Sequence, residues 1–577
     1  MASLQTIRVK GNTYYRLVTC RRINGKPTPV VLEYLGKADD ILNRLEAADR
    51  IQVRSWSHGA VAALYALTRE VQVAEIIDAH LAKTGRRVRP SLPAPPTPAA
   101  PQIRDGLTVG QSLALVSIGR ACHATSKRAF ANWAKTTTLG QLAGVDVDRL
   151  TSQHFWDQMD QLPVEVIEVI ERDLLADVIR RFELSLDTLL FDATNFFTFI
   201  ASSNKHCELP ARGKQKQKRS DLRQVSVAVL CSRQHGIPLW HRTYAGNVAD
   251  STCFLEVIGS LKKRMVELDC NLDALTVVYD KGNVSRANQQ QVDELKLHYV
   301  SALTVASQHE LVDKANPLLA PVEVGPGETV PAYRTKETVW GAERTLVVLC
   351  SERLRQGQIA GVMQHVDKAL LRLADLAETL RRGRQRRSRA QIQRDIENEL
   401  KGRQHLGEII QFELTGDDAH LALSFGFDRA AFDALAQNTF GRVILMTDRH
   451  EWTTPEIIRA YHGQAAIEAV FAHLKDPVHL AMRPQHHWTD QKLHVHVFTC
   501  LVGYLLATLL HLRAQRANAP YASMESLLDA LSQVRRAMLV RPSSTRAGKS
   551  TGHRVTYQLE EIDPDIAPLL PILGVPG

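Results

Sequence analysis

The stretch 461–475, Tyr-His-Gly-Gln-Ala-Ala-Ile-Glu-Ala-Val-Phe-Ala-His-Leu-Lys, sets a hydroxyl, an amide, a carboxylate and an ammonium at spacings that could do chemistry. Wound as one helix at about 100° per residue, Tyr461, Gln464, Glu468 and Lys475 project within roughly 60° of one another. Ile467, Val470, Phe471 and Leu474 fall on the adjoining face, which suits a core. The polar stripe thus sets one carboxylate among a hydroxyl, an amide and an ammonium. A solvated helix face would look similar, so the stripe gains meaning only from partners elsewhere. Two aspartates supply them. Asp192 interrupts an apolar strand pattern, Leu189-Leu190-Phe191-Asp192-Ala193-Thr194, where a bare carboxylate is costly unless paired or bound to a cation. Asp280 closes the run 274–280 just before Lys281-Gly282, and ligands of open α/β sheets collect at such carboxyl ends. Alone, each aspartate also reads as a strand-end ion pair. Three converging carboxylates in a basic chain suit Mg²⁺ or Mn²⁺, which take oxygen ligands. Two such ions about 3.5–4 Å apart can activate an attacking oxygen and stabilise a leaving one in phosphoryl transfer.

Composition is compatible with that chemistry. The 577 residues allow several domains with sizeable cores. Lys+Arg 71 against Asp+Glu 62 gives +9 and a pI near 9.1, which permits a polyanionic partner without requiring one. Eight scattered cysteines without a Cys-x-x-Cys pair fit a reducing cytosol better than a disulfide framework or a zinc ribbon. No signal segment opens the chain, and the longest apolar stretch, 497–510, suits a buried helix better than a bilayer span. His486, His487, His494 and His496 lack the spacing of a zinc site and read as packing groups near the partner. Gly548-Lys549-Ser550 lacks the first glycine of a nucleotide-binding loop.

The elements that must position these residues follow from periodicity. The first 36 residues alternate apolar and polar around Lys10-Gly11-Asn12 and Asn24-Gly25, predicting hairpins in a small sheet. A helical period follows from Ser57, then a proline-rich linker, then a helical block ending at Phe182. The centre reads as strands at 189–197, 225–230 and 238–244, a helix at 251–268, a strand at 274–280, a helix at 286–296 and a strand at 299–305. That order describes a mixed α/β sheet. Beyond it, 330–349 and 411–427 read as strands. Val362, Val366, Ala369, Leu373, Leu376 and Leu380 step as a coiled-coil seam, leading into the arginine-rich turn 381–389 and a second helix through Ile392, Ile396 and Leu400.

The motifs together resemble the DDE class of bacterial insertion-sequence transposases, in the subgroup with a Tyr-x2-Arg-x3-Glu-x6-Lys box. Tyr461, Glu468 and Lys475 match that box at every spacing, and Gln464 stands where the family usually has arginine. Phe191-Asp192-Ala193-Thr194 and Tyr279-Asp280-Lys281-Gly282 resemble the strands of the two catalytic aspartates. Supporting runs are Gly213-Lys214 to Arg223, Gly246-Asn247-Val248-Ala249-Asp250, Gly441-Arg442 to Asp448, and Arg483-Pro484 with His487. The resemblance implies a ribonuclease-H-like α/β core with a β-rich and helical-hairpin insertion. It implies Asp192, Asp280 and Glu468 as the catalytic and metal-binding triad, for Mg²⁺ or Mn²⁺, as two ions. Tyr461, Gln464, Lys475, Lys214, Arg219, Arg483 and His487 are the residues expected at DNA. An amide at 464 can hydrogen-bond a phosphate but cannot form a charged bidentate fork.

The expected organisation is a β-hairpin domain over 1–50, a helical segment over 51–88, the linker over 89–104 and a helical DNA-binding or accessory region over 105–182. The core follows in two parts, 183–305 and 446–515, separated by an insertion domain over 306–445, with a helical tail over 516–577. The resemblance implies cutting of double-stranded DNA at terminal inverted repeats and joining to target DNA. Self-association in a synaptic complex, no membrane, and a bacterial cytoplasmic, nucleoid-associated location go with it. A repurposed DNA-binding protein, or a nuclease that never joins ends, shares the same residues.

Overall fold

The computed structural model describes residues 2–23, 26–48, 51–84, 103–213, 219, 221–383, 387–401, 405–417, 420–483, 485–542 and 553–577. The linker between 85 and 102, Lys214 and the 548–550 run lie outside them. Two compact units form: one from residues 1–170, 476–484 and 491–577, the other from 171–475 and 485–490.

The first unit opens with the expected small sheet, an antiparallel meander of β1 (Ala2–Val9), β2 (Asn12–Ile23) and β3 (Lys26–Gly36), followed by a helix, Ala38–Ala48. The segment expected to be helical after residue 51 begins instead with β4 (Gln52–Ser57) and then forms two helices, Gly59–Glu70 and Val73–Thr84.

The second unit is built on a nine-stranded mixed sheet. Its strands are β5 (Thr188–Thr198), β6 (Arg223–Ser232), β7 (Pro238–Ala245), β8 (Thr276–Tyr279), β9 (His298–Leu303), β10 (Ala320–Gly325), β11 (Glu328–Val339) and β12 (Ala342–Cys350), with β15 completing it. After β13 (Ile410–Thr415) and β14 (Ala422–Phe427), which pair only with each other, β15 (Arg442–Thr447) returns to the sheet. The order is β10-β11-β12-β15-β9-β8-β5-β6-β7. β5, β8 and β9 are parallel neighbours, and the other pairs are antiparallel. The strand and helix sequence expected from 183 to 305 is present with ends shifted by at most two residues.

The insertion expected over 306–445 is smaller than its boundaries. β10 to β12 extend the main sheet, because β12 pairs along its length with β15 (Val348 opposite Ile444). Only 352–440 stands as a body with its own core. There the seam residues Val362, Val366, Ala369, Leu373 and Leu380 of the helix Glu352–Arg381 join Ile392, Ile396 and Leu400 of Arg389–Leu400. They pack also against β13 and β14 with Phe432 and Phe440, so the seam faces a hairpin sheet as well as the second helix.

The tail is also corrected. Past the helix Met524–Gln533, residues 535–559 form β16 (Arg535–Pro542) and β17 (His553–Leu559), and β16 pairs with β4. Val555, Thr556 and Tyr557 favour a strand in β17, while β16, with Val540 as its only β-branched residue, is held as a strand by pairing with β4 on one side and β17 on the other. Asp490–Arg516 is one helix long and apolar enough to cross a membrane, and 94% of its apolar window is buried within the protein.

Candidate active site

Asp192 and Asp280 are brought together by strand register. β5 and β8 run parallel with Phe191 opposite Tyr279, so each aspartate is the next residue beyond a paired position. β8 stops there: Asp280 is the last extended residue before a 3₁₀ turn, Lys281–Asn283, and its carbonyl accepts from Asn283 N at 2.9 Å. β5 continues, but its burial changes. Thr188 to Phe191 are buried and Asp192 to Asn195 are half-exposed. The aspartate therefore sits where the strand leaves the core rather than inside it, which removes the burial cost the sequence suggested. Its own carboxylate accepts from Ala193 N at 2.8 Å.

The stripe at 461–475 is carried by two helices instead of one, Thr454–His462 and Gln464–Lys475. Thr453 opens the first with a capping box to Glu456. The two helices meet at Gly463, where a Cβ would stand 2.8 Å from Arg233 Cδ and 2.9 Å from Ala460 O, a close approach that favours glycine. Ile467, Val470, Phe471 and Leu474 are buried as expected, and their helix packs on β5.

Tyr461 spans the remaining gap, its hydroxyl donating to Asp280 Oδ1 at 3.3 Å. Burial raises the phenol pKa well above its usual value, and the negative charges of Asp280 and then Glu468 raise it further. The same hydroxyl is thus within electrostatic reach of carboxylates from β8 and from the second helix. Glu468 is exposed, and neither it nor Asp280 forms an ion pair among the described residues. At the far end of the helix Lys475 Nζ donates to Thr194 Oγ1 at 2.5 Å and lies 5.6 Å from the centroid of Phe196. Thr194 is two residues along β5 from Asp192 and shares its face.

The three carboxylates share one sheet end without closing into a ligand sphere. Among the described residues no three His, Cys, Asp or Glu side chains are gathered closely enough to hold a metal ion. Their chemistry nonetheless suits a hard cation: oxygen donors from two strand ends and a helix, in negative potential, with a phenol hydrogen bond on one of them.

The other expected residues divide. Gln464 opens the second helix, half-buried, one turn before Glu468. Arg219 is exposed and bidentate to Asp221 at 2.8 Å, so its charge is locally matched. The loop that carries it leaves from Gly213, which packs against Gly246 where β6 begins. A Cβ on Gly213 would meet Gly246 O at 2.2 Å, and Gln224 Nε2 donates to that carbonyl at 2.7 Å. Both glycine motifs thus serve one close approach, at the sheet end where Arg223 pairs with Thr198. His487 is buried, and its carbonyl accepts from Cys207 Sγ at 3.7 Å, so it is a packing group. Arg483 belongs to the first unit, where its carbonyl accepts from Arg120. The four histidines do not gather: His486 stacks on Phe199, while His496 is enclosed between Lys127 Nζ and Met482 O. Thr194 and Arg233 were not legible as site residues, since neither stands at a diagnostic spacing.

Residues 185–506, more than half of the chain, match the family model described as Transposase DDE domain. The chain belongs to this family. It is a DNA-cutting and joining enzyme, and the matched segment contains Asp192, Asp280, Glu468 and Lys475. No curated protein matches the chain by sequence. Among solved structures, a piggyBac transposase synaptic complex with hairpin DNA aligns over 81% of this chain and 78% of that chain, at 8% identity and a TM-score of 0.39. A Mos1 transposase paired-end complex with the left transposon end aligns over 40% and 77%, at 10% identity and a TM-score of 0.15. Likenesses this remote add nothing to the assignment, which rests on the family match. The transposase keeps all eight cysteines as free thiols.

Proposed function

We propose that this transposase cuts double-stranded DNA at the terminal inverted repeats of its own element and joins the ends to target DNA. Asp192, Asp280 and Glu468 are the catalytic residues, on a ribonuclease-H-like core, and hold Mg²⁺ or Mn²⁺, as two ions. The observation that carries this reading is the paired register that sets Asp192 beside Asp280, with Tyr461 linking Asp280 to the charge of Glu468. When bound, the metal supplies Lewis-acid activation of an oxygen nucleophile and neutralises charge on the phosphate.

The chain's own groups do the rest. Half-exposed Asp192 and exposed Glu468 leave the sheet end open to a strand of DNA. Lys475, anchored by Thr194, offers its ammonium to a phosphate on the Asp192 face. Gln464 offers an amide donor one turn from Glu468. Arg219 offers a further charge to the DNA backbone, tempered by Asp221. Two DNA ends imply pairing of subunits in a synaptic complex, in a bacterial cytoplasm.

The test supplies duplex carrying the element's own ends, a target plasmid and Mg²⁺, and scores nicking and joining separately. Nicking followed by end joining supports the proposal. Nicking without joining leaves a nuclease, and end binding without nicking leaves a repurposed DNA-binding protein, the outcome that the neutral Gln464 would favour.

A further inference from the structure

The first 37 residues hold seven Lys or Arg against a single acidic residue, Glu33, in a chain whose whole surplus is +9. The first 37 residues thus form one strongly basic segment, built on the meander β1-β2-β3, which lies outside the family-matched segment. Glu33 is itself matched, its carboxylate accepting from Arg44 of the following helix at 3.3 Å. The meander is also unusually bare. Leu4 is 58% exposed, Tyr34 49% and Val31 46%. A sheet with exposed apolar residues and almost no negative charge is suited to a polyanion with apolar features, and duplex DNA has both.

We propose that this meander reads the ends of the element by entering the major groove of duplex DNA. The proposal rests on the DNA-cutting reading above and names where its sequence preference arises. Three strands at about 4.8 Å spacing span roughly 10 Å, and the major groove is about 12 Å wide. Across the strands one row runs Gln5, Arg16, Tyr34, set by the pairings Gln5–Arg16 and Arg16–Tyr34. Arg16 Nε donates to Gln5 Oε1 at 3.0 Å, which orients both side chains. Arginine and glutamine are the side chains that pair bidentately with guanine and adenine edges, and a tyrosine ring can lie against a thymine methyl. Tyr14 stands beside the row, its ring 6.0 Å from that of Tyr34, with Lys37 Nζ 5.9 Å from its centroid. Arg8, opposite Thr13 near the β1–β2 turn, and Arg21, opposite Thr28 towards the other end of β2, are both exposed on the other face at the two ends of the meander, from which their long side chains reach round to phosphates flanking the groove.

The full-length protein is titrated into labelled duplex carrying the element's inverted repeat and into a scrambled duplex of equal composition. Gln5→Ala with Arg16→Gln is expected to reduce the preference for the repeat at least tenfold, with affinity for the scrambled duplex within about threefold of wild type. Arg8→Gln with Arg21→Gln is expected to weaken both duplexes alike and to lower the salt slope by about two units. Gln5→Ala alone, at an exposed position, guards against misfolding and should lose part of the preference. If wild type prefers the repeat and the Gln5/Arg16 variants keep that preference, the meander is not the reader and the transposase reading stands. A change in mass by light scattering with DNA binding unaltered would make it a protein-docking surface and overturn the proposal. A wild type with no preference for the repeat over the scrambled duplex would overturn both readings.

Discussion

Tyr461 places a hydroxyl on Asp280 Oδ1. A cation taking that same oxygen would break or redirect the hydrogen bond, which is worth about 1 kcal/mol. Tyr461→Phe should bind Mn²⁺ roughly fivefold more tightly in a titration followed by electron paramagnetic resonance. Weaker binding would mean that the phenol orients the carboxylate instead of competing for it. Gln464 raises the second residue-scale question, because the charge absent there has no obvious substitute. Arg442 is engaged by Asn316, Phe440 O and Gln437 O. Arg233, whose stem packs on Gly463 next to Gln464 in sequence, is a cation that the sequence did not suggest. Gln464→Arg should tighten end binding or speed cleavage, most clearly at higher salt. Slower cleavage at every salt concentration would show that this branch has rewired its grip on DNA. The residues of the site were legible because each sits in a short motif of fixed spacing. Their half-exposure was not, since it depends on where β5 emerges from its neighbours.

The insertion and the buried helices argue at the scale of elements. The arginine-rich turn reads in sequence as a cationic grip, but its described members are occupied. Arg381 and Arg382 donate to Glu378, whose carboxyl is lowered to about 2 by those two hydrogen bonds, and Arg387 pairs with Asp395. Arg389 donates to the carbonyls of Leu414 and Gly416 at the end of β13. Replacing Arg381, Arg382 and Arg387 with glutamine should thus flatten the salt dependence of DNA binding by less than three units, because each already faces a carboxylate or shares one. A loss of three or more would restore the grip. In the first unit, burial lowers the Lys127 ammonium to about 7, aided by Arg120 beside it. The unfolded chain keeps that proton to about 10.5, so between pH 7 and 10 the unfolded state binds more protons and stability climbs with pH. The slope is at most about 1.4 kcal/mol per pH unit, and Lys127→Met should abolish it in urea unfolding. An equal slope in both proteins would place Lys127 in contact with water.

Across the whole molecule, legibility followed the range of the contacts that decide each element. The run from Thr188 to Leu303 was readable because local alternation and helical period agree with the final sheet. The pairing of β12 with β15 and the return of β16 to β4 were not, since each depends on residues distant in sequence: about 95 and 480 positions away respectively. Those long-range contacts also decide what the molecule does, because Asp192, Asp280 and Glu468 span more than 270 residues and meet only once the sheet has formed. The central claim is that these three carboxylates work together in cutting DNA. Asp192→Asn, Asp280→Asn and Glu468→Gln each remove a charge with almost no change of shape, so the fold and end binding should survive. The decisive measurement is single-turnover nicking of the element's end in Mg²⁺ by each variant, alongside its affinity for the same duplex. The account predicts at least a thousandfold loss of nicking in all three, about 4 kcal/mol of barrier, with affinity unchanged within a few-fold. Near-wild-type nicking by any one of them would contradict it.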